Sequence, residues 1–227
     1  MRFLRICQIV PRFPYRDHLV GTPSKDGYHV GGVEKHAYVL AHELAQRGHD
    51  VTVVAAKSPR HDQMSEIEEF SVKRIATGIQ VYNSYLPLSQ LWRFDPSEYD
   101  LIHAHTPVPA IADIVALRNA FTHIPFFLTY HNDIVKSGPL GGVVSFVYNA
   151  TLGKFLIKNT DIVITTTQSY ADSSKLLKPF ISRIKVVPNG VDCDVFKPGL
   201  DKTLIREKYG IDSFDKLILF VGHLDHY

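Results

Sequence analysis

The chain has 227 residues, which is enough for one large α/β domain with a buried core and for part of a second domain. Its composition, 45% hydrophobic and 21% charged, is typical of a folded globular protein and excludes a fibrous or intrinsically disordered chain. The formal net charge of +2 is too small for a nucleic-acid-binding protein, so we expect no nucleic-acid partner.

The cysteine content and the apolar segments favour a cytoplasmic protein. Cys7 and Cys193 are far apart in the sequence, so no disulfide framework is predicted and a reducing compartment fits best. The apolar residues 1–11 lack a small-residue cleavage site and predict a strand rather than a secretory signal. The longest apolar stretch, 141–157, is interrupted by polar residues, which favours a buried or surface-docked helix over a membrane span.

Short apolar runs rich in β-branched residues recur along the chain and predict buried strands. Stretches with helical spacing lie between them, and the clearest one begins at Val33 and is ended by Gly48. This alternation favours right-handed crossovers and a mostly parallel sheet with helices on both faces. We therefore predict an α/β, Rossmann-like fold. The predicted strands are 3–10, 51–55, 101–104, 126–129, 162–166, 184–187 and 217–221.

The sequence predicts three parts. Residues 1–190 form the Rossmann-like domain, in which residues 57–96 are an inserted hairpin or an irregular excursion. The turn signal Asn189-Gly190 leads into a linker with a short helix, residues 191–215. Residues 216–227 are predicted to contain the first strand of a second sheet. Because such a strand would be an exposed edge without its sheet, we expect a truncated second domain.

Gly31 and Gly32 lie between the first long loop and the first predicted helix. Backbone N–H groups and the helix dipole can meet a phosphate at this position, and glycines let a ligand approach closely. A flexible loop in which Glu34 complements the helix dipole explains the same residues equally well. The sequence matches neither Gly-x-Gly-x-x-Gly nor a P-loop, so it predicts neither dinucleotide binding nor P-loop chemistry.

Histidines follow two of the predicted strands. His103 and His105 end one strand, and His131, Asn132 and Asp133 follow the next. Ligands bind at the carboxyl ends of the strands in an open parallel sheet, so we expect these side chains to meet in one crevice. Histidines that are hydrogen-bonded to loop backbone are the alternative.

The same residues allow a metal-dependent hydrolase. In an extended strand His103 and His105 point the same way, so the two rings can ligate one metal ion together with His131 and Asp133. A His-x-His pair is common, however, and no further metal-binding signature occurs in the sequence. The hydrolase is therefore kept as a less favoured hypothesis.

Residues 31–54, which read GGVEKHAYVLAHELAQRGHDVTVV, resemble the opening helix and second strand of family 4 retaining glycosyltransferases, which have the GT-B fold. Segments 100–105, 127–131 and 187–192 follow in the family's order, the last with Phe196 and Pro198. Residues 219–222 are similar to the first strand of the family's nucleotide-sugar domain. The resemblance thus covers almost the whole chain.

The resemblance implies a sugar transfer, with retention, from a nucleotide-diphosphate donor to a carbohydrate or lipid-linked acceptor. Residues 1–190 would be the acceptor-binding half of a two-domain enzyme. Gly31 and Gly32 would approach the donor diphosphate, and His131 would be the catalytic residue beside the transferred sugar. Asn132 and His105 would face the acceptor. The donor is a substrate, and the resemblance implies no cofactor and no metal requirement.

Two departures from the family pattern concern donor binding. The family usually has an arginine after the glycine of the last strand and a lysine a few residues later; here His223 takes the first place and the lysine is missing. The paired-glutamate motif of the second domain is also absent, which truncation would explain. We therefore expect little transferase activity and weak donor affinity from this chain alone.

Two more interpretations stay open. A noncatalytic sugar- or nucleotide-binding module has the same fold, because Rossmann-like sheets host many functions. Peripheral contact with the inner face of a membrane is a weaker hypothesis, and a core helix with solvated lysines is favoured over it because the segment lacks a strongly basic face. The residues of this segment are Lys136, Val143, Val144, Phe146, Val147, Lys154 and Lys158.

Overall fold

The computed structural model describes residues 3–19, 30–57, 69–75, 79–81, 84–86, 94–106, 111–134, 139–199 and 201–220. The chain divides into two units, Met1–Pro188 and Asn189–Tyr227. The first unit ends two residues before the predicted domain boundary at 190, and the roles of the two parts in donor and acceptor binding stay predictions. Lys136 and His223 lie outside the described residues.

Strands and helices alternate through the first unit. The strands are β1 Arg5–Val10, β2 Asp50–Ala56, β3 Ser71–Ile75, β4 Ile79–Val81, β5 Ser84–Leu86, β6 Leu101–Thr106, β7 Phe126–Tyr130, β8 Ile162–Thr165 and β9 Ile184–Val186. The α-helices are α1 Arg16–Leu19, α2 Gly32–Gln46, α3 Ile111–Thr122, α4 Pro139–Ala150, α5 Leu152–Lys158, α6 Gln168–Ser173 and, in the second unit, α7 Thr203–Tyr209. Short 3-10 helices span Pro96–Glu98 and Lys178–Arg183.

The main sheet has seven parallel strands in the order β3-β2-β1-β6-β7-β8-β9. From β1 the chain first winds outward through β2 and β3, and then returns to the other side of β1 with β6. Strand order therefore reverses between β1 and β6, and ligands of open α/β sheets bind beside the carboxyl ends of the strands at such a point. The predicted Rossmann-like fold is confirmed.

Helices cover both faces because successive strand residues point to opposite sides. Helix α2 packs through Ala37 and Ala41 on one face, where Val10, Val51 and Val53 are also buried. Helices α3 and α5 cover the other face. The core residues on that face include Cys7, Ile9, Ile102, Ala104, Val115, Leu128, Leu156, Ile157 and Val163.

Six of the predicted strands are present, and the one predicted at 217–221 is wrong over its described residues. Residues 217–220 are irregular and pair with no described strand, and Ile218 is 93% exposed. Apolar β-branched composition gives a strand only where a neighbouring strand accepts its backbone hydrogen bonds. Residues 221–227 lie outside the described part.

The segment 57–96 is only partly the excursion that the sequence predicted. Strands β4 and β5 form an antiparallel hairpin, in agreement with the prediction. Strand β3, in contrast, joins the main sheet as an edge strand parallel to β2. Within the described residues, no helix is both long and apolar enough to cross a bilayer.

Candidate functional site

The diglycine segment forms the start of α2. Gly31 has extended backbone angles and caps the helix, which begins at Gly32, and both glycines are exposed. The Gly31 N–H donates to Glu34 Oε2 at 2.8 Å, and Arg12 Nε donates to Glu34 Oε1 at 3.2 Å. Glu34 is only 6% exposed, so its carboxylate holds the turn from the buried side. The next N–H groups, beginning with that of Gly32, have no acceptor within the helix and are the ones that can meet a phosphate.

Three histidines from three different elements converge beside this helix start. His36 comes from the first turns of α2, His105 from the end of β6, and His131 from the residue after β7. One ligand nitrogen from each ring lies within 4.8 Å of the others. The ring centroids are 5.2 Å apart for His36 and His131, and 5.6 Å apart for His105 and His131. Of the polar side chains expected at the carboxyl rim, His105 and His131 thus lie together, and His36 joins them.

Strand alternation explains why β6 contributes histidines here. Ile102 and Ala104 point into the core under α3, so His103 and His105 point to the side of the sheet that α2 covers. Parallel pairing places His105 opposite Thr129 of β7. Both histidines are buried beneath the helix.

His103 is not a member of the histidine cluster, contrary to the metal-hydrolase hypothesis. Its Nε2 lies 2.7 Å from Thr129 Oγ1, and its ring stacks on that of His105 with centroids 4.7 Å apart. Asp133 is also engaged elsewhere, because its Oδ1 accepts hydrogen bonds from the Tyr130 hydroxyl at 2.9 Å and the Ser174 hydroxyl at 2.8 Å. His36, and not His103, is the third histidine beside His105 and His131.

Burial keeps His103, His105 and His131 neutral at physiological pH. Burial first, and the neighbouring imidazoles second, lower the pKa of His131 to about 4 and that of His103 to about 3. Burial and the neighbouring imidazoles also hold the pKa of His105 well below its usual range. The rings therefore act as neutral hydrogen-bonding groups or metal ligands rather than as cations.

The contact between His105 and His131 fixes a tautomer for each ring. His105 Nδ1 lies 3.3 Å from His131 Nε2, while His105 Nε2 is buried without a hydrogen-bond partner among the described residues. A buried N–H without an acceptor is especially unfavourable, so we assign the proton of His105 to Nδ1, which donates to His131. His131 then carries its own proton on Nδ1, where it can be donated to a ligand.

Hydrogen bonds within the loop after β7, and one from Ser174, hold this loop in place. Asp133 ties it to Tyr130 and Ser174, and Asn132 Nδ2 donates to the Asp133 carbonyl at 3.2 Å. Asn132 and His131 are both half-buried, so each retains surface that a ligand can contact. His105 is only 1% exposed, which does not fit the direct acceptor contact expected for it.

His36 is the site residue that the sequence interpretation missed. A signal for it exists, because His36 follows Gly32 by four residues and therefore lies on the same face of the helix. Ser174 also supports the site, but it lies 41 residues from Asp133 and has no local pattern that identifies it.

Comparison with known proteins identifies the family of the chain. Residues 30–195 match the model of Glycosyltransferase Family 4. The D-rhamnosyltransferase WbpZ of Pseudomonas aeruginosa is 26% identical over 202 residues, which are 87% of this chain and 50% of the relative. The O-antigen chain mannosyltransferase C of Escherichia coli is 28% identical over 213 residues, 92% of this chain and 54% of the relative.

A solved structure supports the fold. The chain is similar to Anabaena HepE in complex with UDP, with a TM-score of 0.55, 17% identity, and coverage of 91% of this chain and 50% of HepE. The chain spans about half the length of the relatives that it matches. Since the family match covers most of the chain and the seven-stranded parallel sheet agrees with a GT-B structure, the chain belongs to glycosyltransferase family 4.

Proposed function

We propose that the whole protein transfers a sugar, with retention, from a nucleotide-diphosphate donor to a carbohydrate or lipid-linked acceptor. This chain would supply the acceptor-binding half. The similar proteins named as rhamnosyl- and mannosyltransferases, and the HepE structure that holds UDP, support this class of reaction.

One observation carries the proposal: the exposed diglycine start of α2 and the half-buried His131 share the carboxyl rim of the sheet. His36 follows Gly32 by four residues, which corresponds to a rise of about 6 Å along the helix. The ring of His36 in turn lies 5.2 Å from that of His131. A sugar diphosphate is long enough to touch both the helix start and the imidazole.

The chemistry that follows is electrostatic. Cleavage of the donor leaves negative charge on the diphosphate, and the N–H groups at the start of α2, beginning with that of Gly32, are aimed where that charge develops. The neutral His131 donates its Nδ1–H to the transferred sugar and holds the sugar near the reaction centre. His105, buried below, acts as a positioning residue because its hydrogen bond sets the tautomer of His131. The proposal requires no metal ion.

The experiment is a donor panel on the product of the complete reading frame. Uridine- and guanosine-diphosphate sugars are offered with candidate acceptors, products are detected by mass spectrometry, and the new linkage is determined by NMR. We expect transfer from at least one donor with the anomeric configuration retained. An inverted linkage contradicts the assignment of retention, and transfer from no donor contradicts the proposed reaction.

The same panel tests the role of this chain. Residues 1–227 alone should show little turnover, because most donor contacts are expected in the other domain. Turnover of the isolated chain at the rate of the complete protein would refute its assignment as the acceptor-binding half.

We also propose that α4 contacts an anionic membrane, where a lipid-linked acceptor would be found. The helix faces the domain with the buried Gly141 and Ser145. It exposes large apolar side chains, which favours this contact over a core helix, and the exposed Lys154 and Lys158 follow on α5. Apolar side chains flanked by lysines suit the interface of an anionic bilayer. The exposed residues are Val143 at 61%, Val144 at 60%, Phe146 at 74% and Val147 at 51%.

Cosedimentation with phosphatidylglycerol vesicles tests this contact. The double variant Val144→Ser and Phe146→Ser of the complete protein should bind the vesicles more weakly than the wild type. Phe121→Ser is the matched control, because Phe121 is 81% exposed but lies on α3. Equal binding of the wild type, the double variant and Phe121→Ser would contradict the membrane proposal. So would the absence of binding by the wild type.

A further inference from the structure

The cluster of His36, His105 and His131 has the composition and spacing of a transition-metal site. Neutral imidazoles are the preferred protein ligands of Zn²⁺, Cu²⁺ and Ni²⁺, whereas Mg²⁺ and Ca²⁺ prefer oxygen ligands. One nitrogen from each ring lies within 4.8 Å of the others. No sequence motif identifies the site, because its three ligands come from α2, β6 and the loop after β7.

The spacing of the closest pair matches ligation by a single ion. Two nitrogens that each lie about 2.0–2.1 Å from one tetrahedral zinc are separated by roughly 3.3–3.4 Å. His105 Nδ1 and His131 Nε2 are 3.3 Å apart. An ion can therefore replace the hydrogen bond between these two rings without moving either of them far. The proton of His105 then passes to its Nε2, where it has no acceptor among the described residues, and the metal–nitrogen bonds must offset this cost.

The third ligand needs only a small adjustment. His36 lies on a helix whose start is anchored by the hydrogen bonds of Glu34, and its ring is 5.6 Å from that of His105 and 5.2 Å from that of His131. One nitrogen of His36 lies within 4.8 Å of the ligand nitrogens of the other two rings, so coordination requires it to approach them by about 1–1.5 Å. His36 and His131 are half-buried, so an ion can reach them from solvent and a fourth, open position is left for water.

We propose that His36, His105 and His131 bind one Zn²⁺ or a similar transition-metal ion, and that the bound ion inhibits sugar transfer. Inhibition follows because the ion and its water would lie beside His36, between His131 and the helix that begins at Gly32, where the sugar diphosphate is expected. The metal site itself is independent of the proposed function. Only the inhibition rests on it.

A cobalt titration of the tag-free, EDTA-treated protein tests the binding. Co²⁺ bound to three imidazoles should give the visible absorption of tetrahedral coordination at one ion per chain, and Zn²⁺ should displace it. The variant His36→Ala should weaken binding by about tenfold or more, since loss even of a residue that only supports a ligand commonly has an effect of this size. His36→Cys should restore tight binding and add a thiolate-to-cobalt charge-transfer band.

His42→Ala is the matched control on the same helix. His42 lies 3.6 Å from carboxylate oxygens of Glu43 and Glu69, so it represents a surface site that could capture an ion adventitiously. We expect this variant to bind Co²⁺ as the wild type does. No tetrahedral spectrum, or binding that is lost in His42→Ala and kept in His36→Ala, would overturn the proposed site.

Inhibition is measured separately with the complete protein in the transfer assay. Zn²⁺ should inhibit at the concentrations at which it displaces Co²⁺, while Mg²⁺ should not. His36→Ala should shift the inhibition to higher Zn²⁺ concentration by the same factor as it shifts binding. Zn²⁺ that binds at the cluster and leaves transfer unchanged would overturn the inhibition but not the site, and a protein with no transfer activity at all contradicts the proposed function instead.

Discussion

The ring of His36 lies 5.2 Å from that of His131, and the two planes cross at 78°. One ring belongs to the helix that begins at the exposed Gly32, and the other follows β7 at the carboxyl rim of the sheet. This contact joins the helix start, where a diphosphate is expected, to the imidazole expected beside the sugar. Substitutions at the two ends should therefore affect the same reaction in different ways.

Gly32→Ala should weaken donor binding without unfolding the domain. A Cβ at this position would meet no other atom within 4 Å, and alanine is a better helix former than glycine. The added methyl group would instead project into the space through which a phosphate approaches the helix N-terminus. We expect a higher KM for the donor and an unchanged or slightly higher melting temperature. An unchanged KM would show that the diphosphate does not approach Gly32.

Asp133→Ala should destabilise the domain and impair transfer. The substitution leaves the hydroxyl groups of Tyr130 and Ser174 without their shared acceptor, and each such loss at a buried position costs about 1–3 kcal/mol. The loop that carries His131 would also lose its anchor. Urea denaturation measures the first effect, and kcat of the complete protein measures the second.

Ser174→Ala removes one of the two hydrogen bonds to Asp133 and leaves Asp133 bonded to Tyr130. It also removes the hydrogen bond that Leu177 N–H donates to Ser174 Oγ at 3.3 Å, so kcat is the quantity to compare. We expect a smaller loss of kcat than in Asp133→Ala. If Asp133→Ala were as active as the wild type, the loop anchor would have no part in positioning His131.

Stability should fall when the pH is lowered below about 6.5. In the unfolded chain His103 and His131 have their ordinary pKa of 6.5. In the folded protein the pKa of His103 is lowered to about 3 and that of His131 to about 4. Between these values the unfolded state binds more protons, so acidification favours unfolding, by about 1.4 kcal/mol per pH unit for each buried histidine. The stabilisation is complete above pH 6.5 and is lost as the pH falls toward 4.

Urea denaturation at a series of pH values between 7 and 5 measures this dependence. His103→Gln removes one of the titrating groups. The slope of its free energy of unfolding against pH should therefore be smaller by about 1.4 kcal/mol per pH unit, which corresponds to one proton. A wild-type stability that is constant across this range would contradict the burial of neutral histidines under α2.

His123→Gly should stabilise the protein. His123 follows α3 with a φ of 56°, in the left-handed region that favours glycine, and its side chain is exposed, so little packing is lost. Relief of this backbone conformation outweighs the extra flexibility of glycine in the unfolded chain, for a net gain of about 0.5–1 kcal/mol. His123→Ala is the control and should give no gain. Thermal unfolding distinguishes the two variants, and equal melting temperatures would contradict the explanation.

The fold could be predicted to a large extent because local and global signals agree. The runs at β1, β2, β6 and β7 are buried in a parallel sheet that helices cover on both faces, and mostly apolar segments of this length are typical of such strands. The run at 217–220 has the same composition but no described strand beside it, and it is irregular. Composition reports the tendency of a segment to form a strand, whereas pairing is a property of its surroundings.

The site could be predicted only in part. The sequence predicts His131, Gly31 and Gly32 at one rim because parallel strands end at one edge and α2 follows the first loop, and their roles stay predictions. His103 was placed in the cluster because alternation gives its direction but not its partner, and Thr129 of the neighbouring strand takes its Nε2. The spacing of His36 from Gly32 places it on the same helix face, but its closeness to His131 depends on how α2 crosses the sheet, which that spacing does not encode.

Sugar transfer by the complete protein with His131→Ala tests the central claim most directly. The substitution removes a half-buried ring that lies after a strand, so circular dichroism should show a folded domain. With the best donor of the panel, kcat/KM should fall by about 100-fold or more, as expected for loss of a preorganised hydrogen-bond donor at the reaction centre. Transfer at the wild-type rate by the folded variant would contradict the claim that His131 and the start of α2 form one sugar-diphosphate site.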